Sequence, residues 1–353
     1  MMQYLPSLAG VAIISFLFTR MLIPLSHSMG LLDHPNQRKQ HRGAVPLIGG
    51  ISIYLSVLFC AVLFLNLPEH FIGIALICGL VTFIGALDDR YPVHPNYRLS
   101  MQLIAGITIA TIGDACLRDL GNLTGLGTIT LGFLAIPFTA ITIAGLCNAY
   151  NMVDGIDGLA GSLTLVSILG LLFLANGRAA DNEVALLAYM ATSIGVFLIF
   201  NLKIGPFAKC KVFMGDAGST FLGCSVAIAM IYFSQSGDNV LRPATALWLV
   251  AIPLMDMTST MVRRMTKGKS PFHADRTHLH HILMRGGLSQ QQALITIILA
   301  SAGIAAIGIL LERVWPQNDA ISFGLFVLTF ALYFKFIFKH AFKFARTIRR
   351  LNS

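Results

Sequence analysis

Apolar stretches dominate the chain and are separated by short polar links. They recur at about the 17 to 25 residues that a helix needs to cross a bilayer. Eleven runs are predicted as helices: 5–25, 47–67, 71–87, 99–113, 129–146, 159–175, 184–202, 221–233, 244–262, 293–311 and 321–338. In lipid every backbone amide and carbonyl needs an internal partner, so helix is the expected spanning form. No fixed-period repeat, low-complexity tract or inserted soluble domain interrupts the series. Residues 1–353 therefore read as one all-α, polytopic membrane domain with about 11 transmembrane helices.

Composition agrees: of 353 residues 56% are hydrophobic and only 12% charged, with a mean hydropathy of +0.74, which excludes an ordinary water-soluble domain. Charge then orients the chain. One set of alternate links holds Arg20, Arg38, Lys39, Arg42, Arg90, Arg98, Lys203, Lys209, Lys211, Arg263, Arg264, Lys267, Lys269, Arg276, Arg285 and the six basic residues from Lys335 to Arg350. The other set holds only Arg118, Arg178, Arg242 and Arg313. The positive-inside rule puts the N-terminus outside and the C-terminus in the cytoplasm. The net charge of +9 is mostly this bias and makes no case for nucleic acid.

The first run has no basic segment before it and Arg20 behind it, so it is expected to be an uncleaved anchor. Of the six cysteines only Cys116 is expected to face outside, which leaves no external disulfide, and their spacing matches no zinc pattern. Lys335, Lys339, Lys343, Arg346 and Arg350 fall at steps of three and four. They form a basic helical face that serves as a cytoplasmic stop or as a contact for anionic lipid.

Candidate chemistry gathers in the cytoplasmic links, near 26–46, 88–98, 147–158, 203–220 and 263–291. Asp88 and Asp89 close the third helix, where two adjacent carboxylates face each other and the negative end of the helix dipole; the position calls for a cation or a raised pKa, unless they are surface carboxylates paired with Arg90. Between the fifth and sixth helices, Asn148, Asn151, Asp154 and Asp157 stand among glycines and offer hard oxygens for a metal or nucleotide. A cap of the sixth helix explains Asp157 equally well. Asp216, in Phe213-Met214-Gly215-Asp216, precedes the eighth helix, again as cap or as ligand. The link after the ninth helix carries Arg263, Arg264, Lys267, Lys269 and the run His278-Leu279-His280-His281, a better clamp for anions than a zinc site. Asp256 lies inside the ninth run, seven residues before Arg263 on the same helical face, so pairing and catalysis are both open. Hard oxygen ligands beside a basic clamp at the membrane surface suit phosphoryl transfer, where positioning and charge neutralisation carry the chemistry.

Asp-Asp after the third helix, Asn151-Met152-Val153-Asp154-Gly155-Ile156-Asp157-Gly158, Phe213-Met214-Gly215-Asp216-Ala217-Gly218-Ser219 and His278-Leu279-His280-His281, in this order, resemble the polyprenyl-phosphate N-acetylhexosamine-1-phosphate transferase family along essentially the whole chain. The first link, Asp33-His34-Pro35-Asn36-Gln37-Arg38-Lys39 through Pro46-Leu47-Ile48-Gly49-Gly50, fits the bacterial branch that joins UDP-N-acetylglucosamine to undecaprenyl phosphate. The resemblance implies a lipid-linked diphospho-sugar and UMP as products. It also implies Mg²⁺ as cofactor, with Mn²⁺ as the alternative ion, and a cytoplasmic active site. By its pattern Asp216 and Asn151 hold the metal, and Asp88 and Asp89 are the catalytic pair. Asp154 and Asp157 meet the nucleotide, Arg263, His278, His280 and His281 hold the diphosphate or sugar, and Arg98 stands where relatives can carry a lysine near the phosphates. Direct attack by the lipid phosphate is favoured over a covalent aspartyl intermediate. Another UDP-N-acetylhexosamine donor, or a transporter of a phosphorylated solute, is the alternative. A transporter is expected to place its charges near the bilayer midplane within inverted repeats.

Overall fold

The apolar runs are largely helical, the ninth as two helices, in the computed structural model, which describes residues 5–35, 43–236, 240–271, 277–315 and 318–337. The basic face of the tail beyond Lys335, together with Arg38, Lys39, Arg42 and Arg276 of the charge count, lies outside the described residues. The helices are α1 (Leu5–Met29), α2 (Gly49–Phe64), α3 (Glu69–Arg90), α4 (Pro95–Ile112), α5 (Ala135–Val153), α6 (Leu159–Ala175) and α7 (Asp181–Asn201). They continue with α8 (Gly215–Gln235), α9 (Pro243–Leu249), α10 (Ala251–Met265), α11 (Leu279–Arg285), α12 (Gln290–Val314) and α13 (Asp319–Lys335). Among the described residues six helices are long and apolar enough to cross a membrane: α1, α3, α5 with its preceding turn, α7, α8 and α12. The pair α9 and α10 makes a seventh when taken as one span, while α2 and α6 are shorter apolar helices.

Three differences from the hydropathy pattern bear on the site. The ninth run is not one helix; α9 and α10 are bent by 80° at Val250. Pro253 is the cause, since it has no N–H to give to the carbonyl four residues back, that of Leu249. Ser167 Oγ on α6 donates to that carbonyl instead, at 2.7 Å. Second, α5 runs through Val153, so Asn148 and Asn151 belong to its last turns rather than to a link. Third, α8 begins at Gly215, which puts Asp216 in its first turn. Polar residues at helix ends read as loop by hydropathy although their backbone is helical.

Of the six long apolar helices α8 is the most enclosed, with 78% of its apolar window buried against 22% for α1 and 33% for α12. Small residues bring its neighbours close. A Cβ on Gly50 of α2 would lie 2.0 Å from Gly218 Cα, and one on Gly85 of α3 would lie 2.5 Å from Ala217 Cα. Such backbone approach is how helices associate in lipid, where burial of apolar side chains gives little net drive. A two-residue hairpin, Leu32–Asp33 against Val45–Pro46, returns the first link to the site. There Phe213 N–H donates to Pro46 O at 2.8 Å and Gly49 N–H to Phe213 O at 2.9 Å, which fixes the approach to α8.

Candidate active site

The C-terminus of α3 meets the N-terminus of α8. An α-helix starts with amide groups that have no partner inside the helix. Asp89 supplies one from outside: its Oδ1 accepts from Asp216 N–H at 2.7 Å and its Oδ2 from Ala217 N–H at 3.1 Å. Its neighbour Asp88 accepts from Val93 N–H at 2.7 Å and from Arg98 Nη1 at 2.5 Å. The two carboxylates that oppose their own helix dipole are thus compensated by the positive end of another helix and by a guanidinium. Arg98, near the start of α4, also reaches Asp216 Oδ2 at 3.4 Å. Asn151 Nδ2 donates to Asp216 Oδ1 at 2.7 Å and to Ser219 Oγ at 3.0 Å. Asp88, Asp89, Arg98, Asn151 and Asp216, drawn from α3, α4, α5 and α8, therefore form one hydrogen-bonded network.

The turn between α5 and α6 adds two more carboxylates. Asp157 does not cap α6; Gly158 precedes the helix, and its N–H donates to Asn201 Oδ1 at 2.5 Å. Asp157 Oδ2 instead accepts from Lys211 Nζ at 2.6 Å, and the Lys211 ammonium lies 4.4 Å from the centre of the Phe213 ring. Asp154 ends α5. Burial, then the nearby charges of Asp216, Asp89 and Asp157, push its carboxyl up to about 8.

A cavity of about 860 Å³ opens on these groups, lined by Asp88, Asp89, Asp154, Asp157 and Asp216 with Lys211, His281, Arg285 and Asp33. Arg98 stands on the other side of Asp88 and Asp216, in a narrower cleft of about 20 Å³ walled by Val81, Ile84 and Met101. The expected basic clamp is only partly brought to the cavity. His281 lines it, whereas Arg263, His278 and His280 are not among its lining residues and are 8%, 5% and 2% exposed. His280 is packed between His278, whose ring is parallel to it at 5.9 Å, and His281 at 4.2 Å. Burial, and then the neighbouring His281, push its imidazole down to about 3, so it stays neutral. Lys211, Arg285 and Asp33 were missed as site residues, Lys211 and Arg285 having been counted only as charge. The place of Lys211 two residues before Phe213-Met214-Gly215-Asp216 is the signal that would have found it.

Among the described residues no three His, Cys, Asp or Glu side chains stand together at metal-holding geometry. The donor chemistry nonetheless suits a hard divalent cation. Carboxylates from α3, the α5–α6 turn and α8 line one cavity, and burial together with the charges of Asp216, Asp89 and Asp157 raises the Asp154 carboxyl.

A model of glycosyl transferase family 4 matches residues 71–234, the segment from α3 through α8 that carries the whole network. A curated relative from Yersinia pestis is 38% identical over 341 residues, covering 96% of this chain and 92% of its own. This chain belongs to glycosyl transferase family 4. The Yersinia pestis relative is named undecaprenyl-phosphate alpha-N-acetylglucosaminyl 1-phosphate transferase. Proteins of the same name are 38% identical in Escherichia coli strain K12, over 348 residues (96% of this chain, 92% of theirs), and 38% identical in Haemophilus influenzae, over 346 residues (96% and 95%).

Proposed function

We propose that the chain transfers N-acetylglucosamine 1-phosphate from UDP-N-acetylglucosamine to undecaprenyl phosphate, releasing UMP and leaving undecaprenyl-diphospho-N-acetylglucosamine. The reaction takes place at the cytoplasmic face of the bacterial inner membrane, with the N-terminus outside and the C-terminus inside. It is the first membrane step of enterobacterial common antigen or O-antigen lipopolysaccharide synthesis. The observation that carries this reading is the meeting of five carboxylates, from the end of α3, the α5–α6 turn and the start of α8, on one cavity beside Lys211, His281 and Arg285. Near full-length similarity to relatives named for the same transfer supports it.

An oxygen of the lipid phosphate forms the new bond to the β-phosphorus of the donor as the bond from that phosphorus to the bridging oxygen breaks, and UMP leaves with that oxygen. The nucleophile is already anionic, so the protein's task is to bring two anions together. Arg98, reached from the narrower, partly apolar cleft, neutralises the lipid phosphate, and Asp88 orients Arg98. Asp89 acts through Asp216, holding the first turn of α8 in place. Asp216 and Asn151 are the groups that hold Mg²⁺, or Mn²⁺ as the alternative ion. Bound there, the ion supplies Lewis-acid neutralisation of the diphosphate. Asp154 and Asp157 face the nucleotide. His281, with Lys211 and Arg285, meets the diphosphate or sugar, while Arg263, His278 and His280 support that wall from behind.

The test is direct. Purified protein in detergent is given undecaprenyl phosphate, radiolabelled UDP-N-acetylglucosamine and Mg²⁺, with EDTA as control. Metal-dependent label in the lipid extract together with UMP is the expected result. Label only from a different UDP-N-acetylhexosamine changes the donor and keeps the class; no label from any donor sinks the reading in favour of transport.

A further inference from the structure

One buried carboxylate takes no part in the network just described. Asp256, on α10, is 2% exposed, a costly place for a charge unless every oxygen is occupied. Its oxygens are occupied from three directions. Oδ2 meets His278 Nδ1 at 2.7 Å, while Oδ1 accepts from Leu279 N–H at 2.9 Å and from the hydroxyl of Tyr333, on α13, at 2.9 Å. His278 is held on its other side as well, where Arg264 Nη2 lies 3.3 Å from Nε2. A carboxylate only accepts and a guanidinium only donates, so His278 must donate from Nδ1 and accept at Nε2. Both ring nitrogens are used within the protein, which removes His278 from the groups free to bind a phosphate.

His278 passes its position onward by packing. Its ring is parallel to that of His280, which leans in turn on His281, and only His281 reaches the cavity. His280 also closes over Gly155 in the α5–α6 turn, where a Cβ would lie 2.2 Å from its Nε2. The series therefore presses on the turn that carries Asp154 and Asp157.

We propose that Asp256 is a positioning residue: by fixing the Nδ1–H tautomer of His278 and the first amide of α11, it aims His281 into the donor side of the active site, with Tyr333 tying α13 to the same point. The proposal rests on the transfer reaction above for its kinetic readout, but not for its spectroscopic one.

Asp256→Asn keeps the shape and tests the charge. The Asn carbonyl can replace Oδ1, but its NH2 then faces His278, which must accept at Nδ1 and turn an Nε2–H toward Arg264. The ¹⁵N imidazole signals of histidine-labelled protein, assigned with His278→Gln, report the tautomer. The Nδ1–H form is expected in the parent and its loss in Asp256→Asn. In the transfer assay Asp256→Asn is expected to lower kcat/KM for the UDP-sugar about tenfold or more, equivalent to about 1.4 kcal/mol. In a His281→Ala background the same substitution should cost less than about twofold, since residues that act as a unit are not additive. An unchanged tautomer, or an undiminished loss in the His281→Ala background, overturns the proposal. If Asp256→Asn does not fold, Tyr333→Phe, which removes one bond and no charge, carries the same cycle with a smaller expected loss. If the parent protein transfers nothing from any donor, the proposed function falls, and the tautomer still decides whether Asp256 holds His278.

Discussion

Aspartates that look alike in the sequence do different work once their partners are known. Asp88 has a guanidinium, Asp89 a helix terminus, Asp157 an ammonium and Asp216 an amide side chain. Asp216→Asn or Asp88→Asn is expected to leave a folded, inserted protein whose transfer rate falls about 10²- to 10³-fold, the usual scale for losing one preorganised electrostatic group. Thermal unfolding in detergent separates this from misfolding. Lys211→Met removes the Asp157 partner and a cavity cation; kcat/KM for the nucleotide sugar should drop about tenfold, with little change in KM for the lipid phosphate. Asp154 gives a pH signature. Its carboxyl stands at about 8, above the ordinary value of 3.8, so the folded chain holds a proton that the unfolded chain has lost. Without metal, that contribution is fully present below pH 3.8 and is lost as pH rises to about 8. Mg²⁺ binding near pH 7 should release protons, seen as a binding enthalpy that changes with buffer ionisation enthalpy; equal enthalpies in all buffers would refute it. The motifs announced these acids, but not which one faces which partner, because partners such as Arg98 and Lys211 come from other elements.

At the scale of elements, the hydropathy pattern marked where the apolar helices lie but not how many cross the membrane, since six, or seven with the bent pair, are long and apolar enough among the described residues. The pattern follows side chains, whereas helix ends are decided by backbone partners. The polar residues of Asn148–Val153 and Gly215–Thr220 are helical because Asp89 serves the start of α8 and the last turns of α5 pack against it. The break between α9 and α10 was legible in principle from Pro253, although a window of hydropathy averages over it. The contact of α3 with α8 also depends on a single hydrogen atom at position 85. Gly85→Val would put side-chain atoms against the Ala217 backbone and cost about 1–3 kcal/mol of stability. Because Asp89 rides on the same helix, activity should fall more steeply than the thermal midpoint. A variant that is destabilised yet fully active would show that the α3–α8 register does not matter to the site.

For the whole molecule, composition and charge bias gave the membrane class, and the order of four short motifs gave the family. The tertiary meeting of those motifs was hidden, since the bond between Asp89 and Asp216 N–H spans 127 residues. The proposed orientation, N-terminus outside and C-terminus inside, predicts that a cysteine placed at Leu126, 94% exposed in the α4–α5 link, reacts with a membrane-impermeant maleimide added to intact cells. A cysteine placed at Lys203, between α7 and α8, should react only after permeabilisation.

That long bond also bears on how the protein is made. While the ribosome is still adding α4 to α7, the carboxylate pair at the end of α3 already sits at the membrane face, and the helix start that Asp89 will hold has not been synthesised. Arg98 arrives within ten residues, so Asp88 is neutralised early, whereas Asp89 waits for a further 127 residues. A nascent chain therefore lacks the partner of Asp89 until α8 enters. Insertion of α8 closes the network around Asp216, while α9 to α12, with core residues such as Leu249, Ile252 and Leu294 and the cavity wall of His281 and Arg285, are still to come.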